Sequence, residues 1–457
     1  MPWNVKQHVE DFRRGFRTKG SFTQNLAITF SGNVMAQVIG FAFTPFIARI
    51  YGPEAYGVFA LFIAVVNNLS PLSTLQFPSG YVATKDDGEF YRIVKITLGV
   101  LIFGTTVYSL IVFLFQHEIS SAFNITELKP YFFWMPIYFF LMGLDHILLG
   151  WNIQLKEFKR GATAKMFSTT VSKGSTILMG LFMNPTPLGI IVGNLLTYPF
   201  ESIIKLGPAI RKNVNHIFKA YTWGTLRETF STFKNYAFFV TPGLFVTNLS
   251  NQLPVYYFSL AFSNTTVGLF ALANSAVNMP LALVINSSTT VFLQKAAETM
   301  QRSMSDLKEL VLSLYKKLFF VSFLPLAVLA FTSEWIFKII FGPAWEQSGL
   351  FAAFLCIGAV FNVSSSPLSV LFRLMHYERV NFLINVIFLG VKFFGLWIGL
   401  YYNNIVISVI GYSLASLLSY VVSLLVIFRM VKLSVWILLR DIILVGILVA
   451  LIIYFKA

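Results

Sequence analysis

Gly57-Val58-Phe59-Ala60-Leu61 opens an apolar run that continues to about residue 77. A second run, opened by Gly268-Leu269-Phe270-Ala271-Leu272 and continuing to about 292, begins 211 residues later. As a helix, each is long enough to cross the ~30 Å hydrocarbon core of a bilayer. Similar runs cover 26–49, 93–115, 131–151, 164–183, 188–206, 236–258, 318–336, 349–371, 381–401 and 405–428, with a thirteenth at 436–455. The composition agrees: 56% of the 457 residues are hydrophobic, 12% are charged and 49 are Phe. A water-soluble chain of this length needs more polar surface than that. The first run follows Arg13, Arg14, Arg17 and Lys19 and spans about 24 residues, so it reads as a membrane span and not a cleavable signal. The single cysteine, Cys356, excludes an intrachain disulfide and a cysteine metal site.

Charge sets the orientation. With the amino terminus in the cytoplasm, 28 of the 34 Lys and Arg fall in or beside cytoplasmic segments. Arg49, Lys129, Lys338 and Lys456 fall outside, and two lysines lie within spans. Acidic residues divide as 12 inside, 5 outside and 2 within spans, so the net +15 is the positive-inside asymmetry of a membrane protein. Nucleic-acid binding is not needed to explain it.

The two opening words also imply an internal repeat. Ala122-Phe123-Asn124 parallels Ile340-Phe341-Gly342 at an offset of 218, and Phe158-Lys159-Arg160 parallels Tyr377-Glu378-Arg379 at 219. Each match pairs span n with span n+6. The fold class expected is therefore all-α: a polytopic bundle of two six-helix lobes in parallel repeat plus an extra carboxyl-terminal helix. The lobes are 1–206 and 230–430, with a basic cytoplasmic linker at 207–229 and the extra helix in 431–457. A parallel repeat of this kind puts a substrate site between the lobes, near mid-bilayer.

The cytoplasmic stretches 207–235 and 293–317 read as amphipathic helices, with Leu307, Leu310, Val311 and Leu314 on one face. Val5, Val9, Phe12 and Phe16 form a similar stripe in the amino-terminal tail. Both are expected to lie on the inner membrane surface. No loop is large enough for a catalytic domain, and no metal, phosphate-loop or nucleophile-elbow motif occurs. The chain reads as a carrier without a cofactor.

Ionisable groups inside spans are the strongest functional candidates, because charge in hydrocarbon is costly. Lys173 in span five and Lys392 in span eleven lie 219 residues apart, in repeat-equivalent helices, and suit an anionic substrate such as a phosphate or pyrophosphate. A structural ion pair is the alternative for each. Asp145, beside His146 in span four, is an ion-coupling candidate or a neutraliser of Lys173. Glu201 has Lys205 one turn on, which suggests a local pair. Arg49 ends span one as an anchor or as a gate for an anionic headgroup. Neutral polar residues concentrate in spans one, two, seven and eight. Asn33, Gln37, Asn248, Asn251 and Gln252 are the substrate-contact candidates among them, with interhelical packing as the alternative. Pro45, Pro71, Pro242, Pro254 and Pro280 fall in the same helices and suggest bending there.

The segment from Asn25 to Leu61, with Asn33, Gln37, Pro45 and Tyr51-Gly52-Pro53-Glu54-Ala55-Tyr56-Gly57, resembles the opening of the polysaccharide-unit flippases. These are the Wzx-type members of the multidrug/oligosaccharidyl-lipid/polysaccharide (MOP) exporter superfamily. Val267 to Ala273 resembles the start of that family's second lobe, and Pro325 through Phe341-Gly342 is similar too. The resemblance implies translocation of undecaprenyl-pyrophosphate-linked oligosaccharide units across a bacterial cytoplasmic membrane, for O-antigen, capsule or exopolysaccharide synthesis. It also implies membrane lipids and other polysaccharide assembly proteins as partners, and a cationic cavity that gives Lys173 and Lys392 a role. Two features depart from the family: Asn251-Gln252-Leu253-Pro254 stands where many relatives carry an acid, and the thirteenth span exceeds the usual twelve. A multidrug or organic-cation antiporter of the same superfamily is the competing reading. A membrane polymerase or ligase is a more distant one, since such enzymes display a large external loop.

Overall fold

The computed structural model describes residues 22–122, 126–219 and 221–456. The amphipathic stripe at Val5–Phe16 and the Phe123-Asn124 match lie outside them. Every described element is helical. Nine helices among the described residues are long and apolar enough to cross a membrane. Helix α2 (Asp87–Ala122) exposes Ile102, Phe103, Leu110, Ile111, Phe113 and Leu114. Water would not tolerate an apolar face of that extent, whereas lipid does. The protein is a multi-pass membrane protein.

Helix α1 (Phe22–Thr74) holds both of the first two expected spans. They are separated at Gly52, whose φ of 71° and ψ of 173° break the helix where none of the prolines does. Only glycine adopts that backbone conformation without strain. The chain divides into two compact units, Met1–Tyr51 with Leu61–Gln252 and Gly52–Ala60 with Leu253–Ala457. The second unit therefore receives nine residues from a helix that otherwise belongs to the first.

In the first unit, α2 is followed by α3 (Trp134–Gln154), α4 (Phe158–Phe182) and the paired short helices α5 (Pro187–Leu195) and α6 (Thr197–Lys205). Next come α7 (Pro208–Asn213) and α8 (Trp223–Asn235), then a π-helical turn at Tyr236–Val240 that leads into α9 (Thr241–Ala261), which belongs to this unit as far as Gln252. Phe77, Tyr81, Phe90, Ile93 and Trp151 form a core cluster that also takes in Ile210, Ile217 and Phe233. Ile210, Ile217 and Phe233 thus dock the described part of the stretch 207–235 onto the unit, while Phe218 and Trp223 stay exposed. Tyr91 stacks on His216 at 5.0 Å, and Lys95 Nζ donates to the Lys219 carbonyl at 2.9 Å.

The second unit contains α10 (Asn264–Arg302), α11 (Met304–Phe341), α12 (Glu346–Leu368), α13 (Val370–Leu374), α14 (Glu378–Tyr401), α15 (Ile405–Met430) and α16 (Trp436–Lys456). Ser263, Ser303 and Asn404 accept backbone N–H groups as the caps of α10, α11 and α15. Helix α12 is buried along nearly its whole length and packs against α10, α11 and α15. Its Gly349, Ala352, Ala353, Cys356, Gly358 and Ala359 let neighbouring backbones approach closely. Of the stripe expected to lie on the membrane surface, Leu307 and Val311 are fully buried against protein and Leu310 and Leu314 half-buried.

The thirteenth span, α16, is held to α11 at two levels. Asp441, 1% exposed, accepts a hydrogen bond from Tyr315 Oη at 2.9 Å. At the far end of both helices Lys456 pairs with Glu334. From 441 to 456 is 15 residues and from 315 to 334 is 19, so the two helices run in the same direction through the same depth.

Candidate functional site

Lys173 sits half-buried on α4, and its Nζ donates to Asn194 Oδ1 on α5 at 3.3 Å. Met183–Thr186 turns the chain between the two helices, so the 21-residue separation is that of a helical hairpin. Asn194 is held in place by its own Nδ2, which donates to the Ile190 carbonyl at 3.1 Å. The hairpin closes tightly around Tyr51. Its hydroxyl donates to the Thr176 carbonyl at 2.8 Å, and a Cβ on Gly180 or Gly189 would come within 2.8 or 2.4 Å of the Tyr51 side chain. The lysine, its amide partner and the end of the first span are thereby tied together.

Lys392 is buried on α14, with its ammonium 6.0 Å from the centre of the Tyr412 ring on α15, at the outer limit of a cation–π contact. The helices α14 and α15 pack backbone to backbone, since Cβ atoms on Gly395 and Gly411 would lie 2.5 and 2.1 Å from each other's carbonyl oxygens. Among the described residues neither Lys173 nor Lys392 is ion-paired with a carboxylate.

The backbone sharpens the relation between these lysines. Left-handed residues Lys156 (φ 58°) and His376 (φ 62°) end α3 and the α12–α13 segment. The closing bonds match at an offset of 220: Glu157 N–H to Asn152 O at 2.8 Å, and Tyr377 N–H to Phe372 O at 2.6 Å. Helices α4 and α14 then start at Phe158 and Glu378, again 220 apart. Counted from these turns, Lys392 matches Ser172 and not Lys173. It continues the buried stripe Ile384, Phe388 and Leu396, as Ser172 continues Ala164, Ser168 and Thr176. In the register of the repeat the lysines differ by one residue, or about 100° around the helix.

Asp145 does not meet Lys173. It receives two bonds from Lys205 Nζ, at 2.7 and 2.8 Å, and the same ammonium reaches Glu201 Oε2 at 3.2 Å. Half-exposed Lys165 lies 3.3 Å from the other Glu201 oxygen. Asn152 donates to the Lys205 carbonyl at 3.0 Å and fixes that end of α6. Two carboxylates and two ammonium groups form a balanced, mostly buried cluster. Sequence spacing marks the Glu201–Lys205 pair, but the long reach to Asp145, 60 residues away, has no local signal.

The remaining candidates are spread along α1 and α9. Asn33 and Arg49 are exposed, and Gln37 is half-buried with its Oε1 lacking a hydrogen-bond partner. Asn248 Nδ2 donates to the Asn67 carbonyl at 2.9 Å and so joins α9 to α1 within the first unit. Asn251 is exposed and Gln252 half-buried.

A family model described as polysaccharide biosynthesis protein matches residues 46–349. The chain belongs to that family. No curated protein matches it significantly in sequence. Among solved structures, the lipid II flippase MurJ in an inward closed conformation is similar with a TM-score of 0.68 at 17% identity, covering 93% of this chain and 97% of that one. An inward-facing multidrug resistance MATE family transporter of the MOP superfamily is similar with a TM-score of 0.60 at 12% identity, covering 89% and 97%. A mutant form of the Vibrio cholerae MATE transporter VcmN is similar with a TM-score of 0.59 at 12% identity, covering 90% and 96%. At these identities the likeness shows that the chain shares the fold of these transporters.

Proposed function

We propose that this member of the polysaccharide biosynthesis family is a flippase. Its substrate is a lipid-linked oligosaccharide with an anionic pyrophosphate, of the undecaprenyl type, which it carries across a bacterial cytoplasmic membrane. The amino terminus is cytoplasmic in this reading, on the side where the positive charge accumulates. One observation carries the proposal. The buried carboxylates Asp145, Glu201 and Asp441 each have a cationic partner and Glu89, in the first turn of α2, accepts the Lys85 N–H, whereas the mid-span Lys173 and Lys392 have only an amide and an aromatic ring. A lysine at the centre of a span costs about 2.5–3.5 kcal/mol even on the permissive scales, so two without carboxylates are retained for something outside the helices. A mobile anion that visits both supplies the missing partner. The amides Asn33, Gln37, Asn248, Asn251 and Gln252, together with Arg49, are assigned to sugar hydroxyls and the headgroup, and Asp145 to its cluster with Lys205 and Glu201.

A cation exporter of the same fold needs acids free to bind its cargo, and here Lys205 and Lys165 occupy them. The test is deletion of the gene followed by lipid analysis, with accumulation of lipid-linked repeat units expected. Lys173→Ala and Lys392→Ala are each expected to stop surface-glycan export while the protein stays in the membrane. Wild-type export by the double variant would refute the assignment of the lysines.

A further inference from the structure

Docking of the stretch 207–235 onto the first unit leaves one edge of it uncovered. Phe218 and Trp223 are 75% and 80% exposed, and Lys212, Lys219, Arg227 and Lys234 are exposed with them. The only acid in the stretch is Glu228. Among the described residues none of these four cations is paired with a carboxylate. Along α8, Trp223, Arg227, Ser231 and Lys234 recur every three or four residues on one exposed stripe. The spacing continues to Phe238, exposed at the start of the apolar run 236–258. Glu228 lies about 100° round the helix from Arg227, off the stripe.

Lys95 on α2 fixes the level of this edge. Its Nζ donates to the Lys219 carbonyl at 2.9 Å and lies 5.3 Å from the centre of the Tyr221 ring. The strongly exposed apolar face of α2 starts at Ile102 and Phe103, which lie about 10–12 Å further along the helix. A headgroup layer is about 5–8 Å thick on each side of the hydrocarbon, so Lys219 and Phe218 stand at its depth. Asp87, at the start of α2, lies about 12 Å from Lys95 in the opposite direction, away from the lipid. We propose that Phe218 and Trp223, with Lys219, Arg227 and Lys234, form a docking surface for the headgroups of anionic phospholipids. The two rings enter the interfacial layer, and the ammonium and guanidinium groups pair with phosphodiesters. A zwitterionic headgroup brings its own ammonium to compete for the phosphate, so a lipid with net negative charge is enriched at this edge. In the orientation proposed above, the surface meets the inner leaflet. It is separate from Lys173 and Lys392 and acts whatever the cargo.

The test uses the full-length protein carrying Cys356→Ala and Gly224→Cys. A Cβ at Gly224 would meet nothing within 4 Å, so a thiol is accommodated there beside Trp223. A nitrobenzoxadiazole fluorophore is attached to it, and the protein is reconstituted in phosphatidylcholine vesicles. These contain the same low mole fraction of either nitroxide-labelled phosphatidylglycerol or nitroxide-labelled phosphatidylcholine. Quenching by the anionic lipid is expected to be at least about threefold stronger, and the difference should vanish in about 1 M salt. Adding Lys219→Gln, Arg227→Gln and Lys234→Gln should equalise the two lipids, whereas adding Lys219→Arg and Lys234→Arg should keep the preference. No quenching by either lipid, equal quenching of the parent protein by both, a preference that survives the three glutamines, or one lost in the arginine variant overturns the proposal. The measurement needs no cargo, so its outcome is independent of whether deletion of the gene accumulates lipid-linked sugar.

Discussion

Replacing Lys205 with Met should destabilise the first unit sharply, and replacing its partners as well should undo the damage. Lys205 bridges Asp145 and Glu201 with Nζ–O distances of 2.7, 2.8 and 3.2 Å, and its side chain is 4% exposed. Methionine fills the same volume but leaves two nearby carboxylates with only Lys165. Removing one partner from a buried ion pair costs about 3–5 kcal/mol, because the charge left behind finds neither water nor a counter-ion. A unit of this size loses roughly 2–4 °C of melting temperature per kcal/mol, so Lys205→Met should melt about 6 °C or more below wild type. The triple variant Asp145→Asn, Glu201→Gln, Lys205→Met keeps the shapes without the charges and should return to within about 2 °C of wild type. Thermal unfolding in detergent, followed by size-exclusion with tryptophan detection, measures both. An unchanged melting temperature for Lys205→Met, or a triple variant as unstable as the single one, refutes the reasoning. Export by the triple variant then separates roles: wild-type export leaves the cluster a structural tie, and a folded but inactive variant makes Asp145 an ion-coupling residue.

Tyr51→Phe removes the hydroxyl bond to Thr176 and should cost about 1 kcal/mol, whereas Gly180→Val drives a side chain into the Tyr51 ring and should cost more. Melting temperatures of the two variants check the order. Because α16 runs alongside α11 in the same direction, a reporter fused after Lys456 should emerge on the side opposite the amino terminus. An alkaline phosphatase fusion active outside and a green fluorescent fusion dark there are the expected pair of results. Asp441→Ala frees the buried Tyr315 hydroxyl and should lower the yield of folded protein, while Asp441→Asn, which keeps an acceptor, should retain most of it. Expression followed by size-exclusion distinguishes them. Moving the cation by one position, as Lys392→Phe with Phe393→Lys, should abolish export even though it completes the repeat, because residue 393 leaves the buried stripe.

The bundle was legible in the sequence because lipid imposes one rule, about twenty apolar residues per span: nine helices among the described residues meet it, one of them covering the first two expected spans, while the runs at 131–151, 164–183 and 236–258 are helical but not among the nine. The repeat was legible in Gly57–Leu61 and Gly268–Leu272, where contact between two backbones leaves glycine no substitute. Span pairing at Phe158 and Tyr377 was close but one residue out. A word match tolerates a slip that the left-handed turns at Lys156 and His376 do not. Amphipathic periodicity did not separate Leu307 and Val311, which protein buries, from Leu310 and Leu314 on the same stripe, which it half-covers. A helical stripe states that one face needs cover, without saying whether lipid or protein supplies it. The partners of the candidate residues were the least legible part. Asn194 is a neutral residue at the far side of a hairpin from Lys173, and Lys205 reaches Asp145 across 60 residues, so neither carries a periodic signal.

The same lack of signal makes the charge pattern informative once the partners are known. Burying a charge of either sign costs several kcal/mol, so a chain selected only for folding should neutralise its lysines as fully as its acids. Among the described residues every buried acid but Glu89, which accepts the Lys85 N–H, has a cationic partner, and so does the buried Lys205, but the mid-span Lys173 and Lys392 do not. Asp145 and Glu201 share Lys205, Asp441 has Arg440 and Tyr315, and Glu334 has Lys456. Lys173 and Lys392 have Asn194 and Tyr412, partners that orient an ammonium without cancelling its charge. An ammonium held this way gains most when an anion arrives, and it loses less than a carboxylate-paired lysine when the anion leaves, because no second buried charge is stranded. That is the balance a carrier needs, with capture and release both inexpensive. Adding a carboxylate beside either lysine, as Asn194→Asp does for Lys173, should therefore stabilise the fold while blocking export. A variant that melts higher than wild type and still exports would show that the lysine serves the helices and not the cargo.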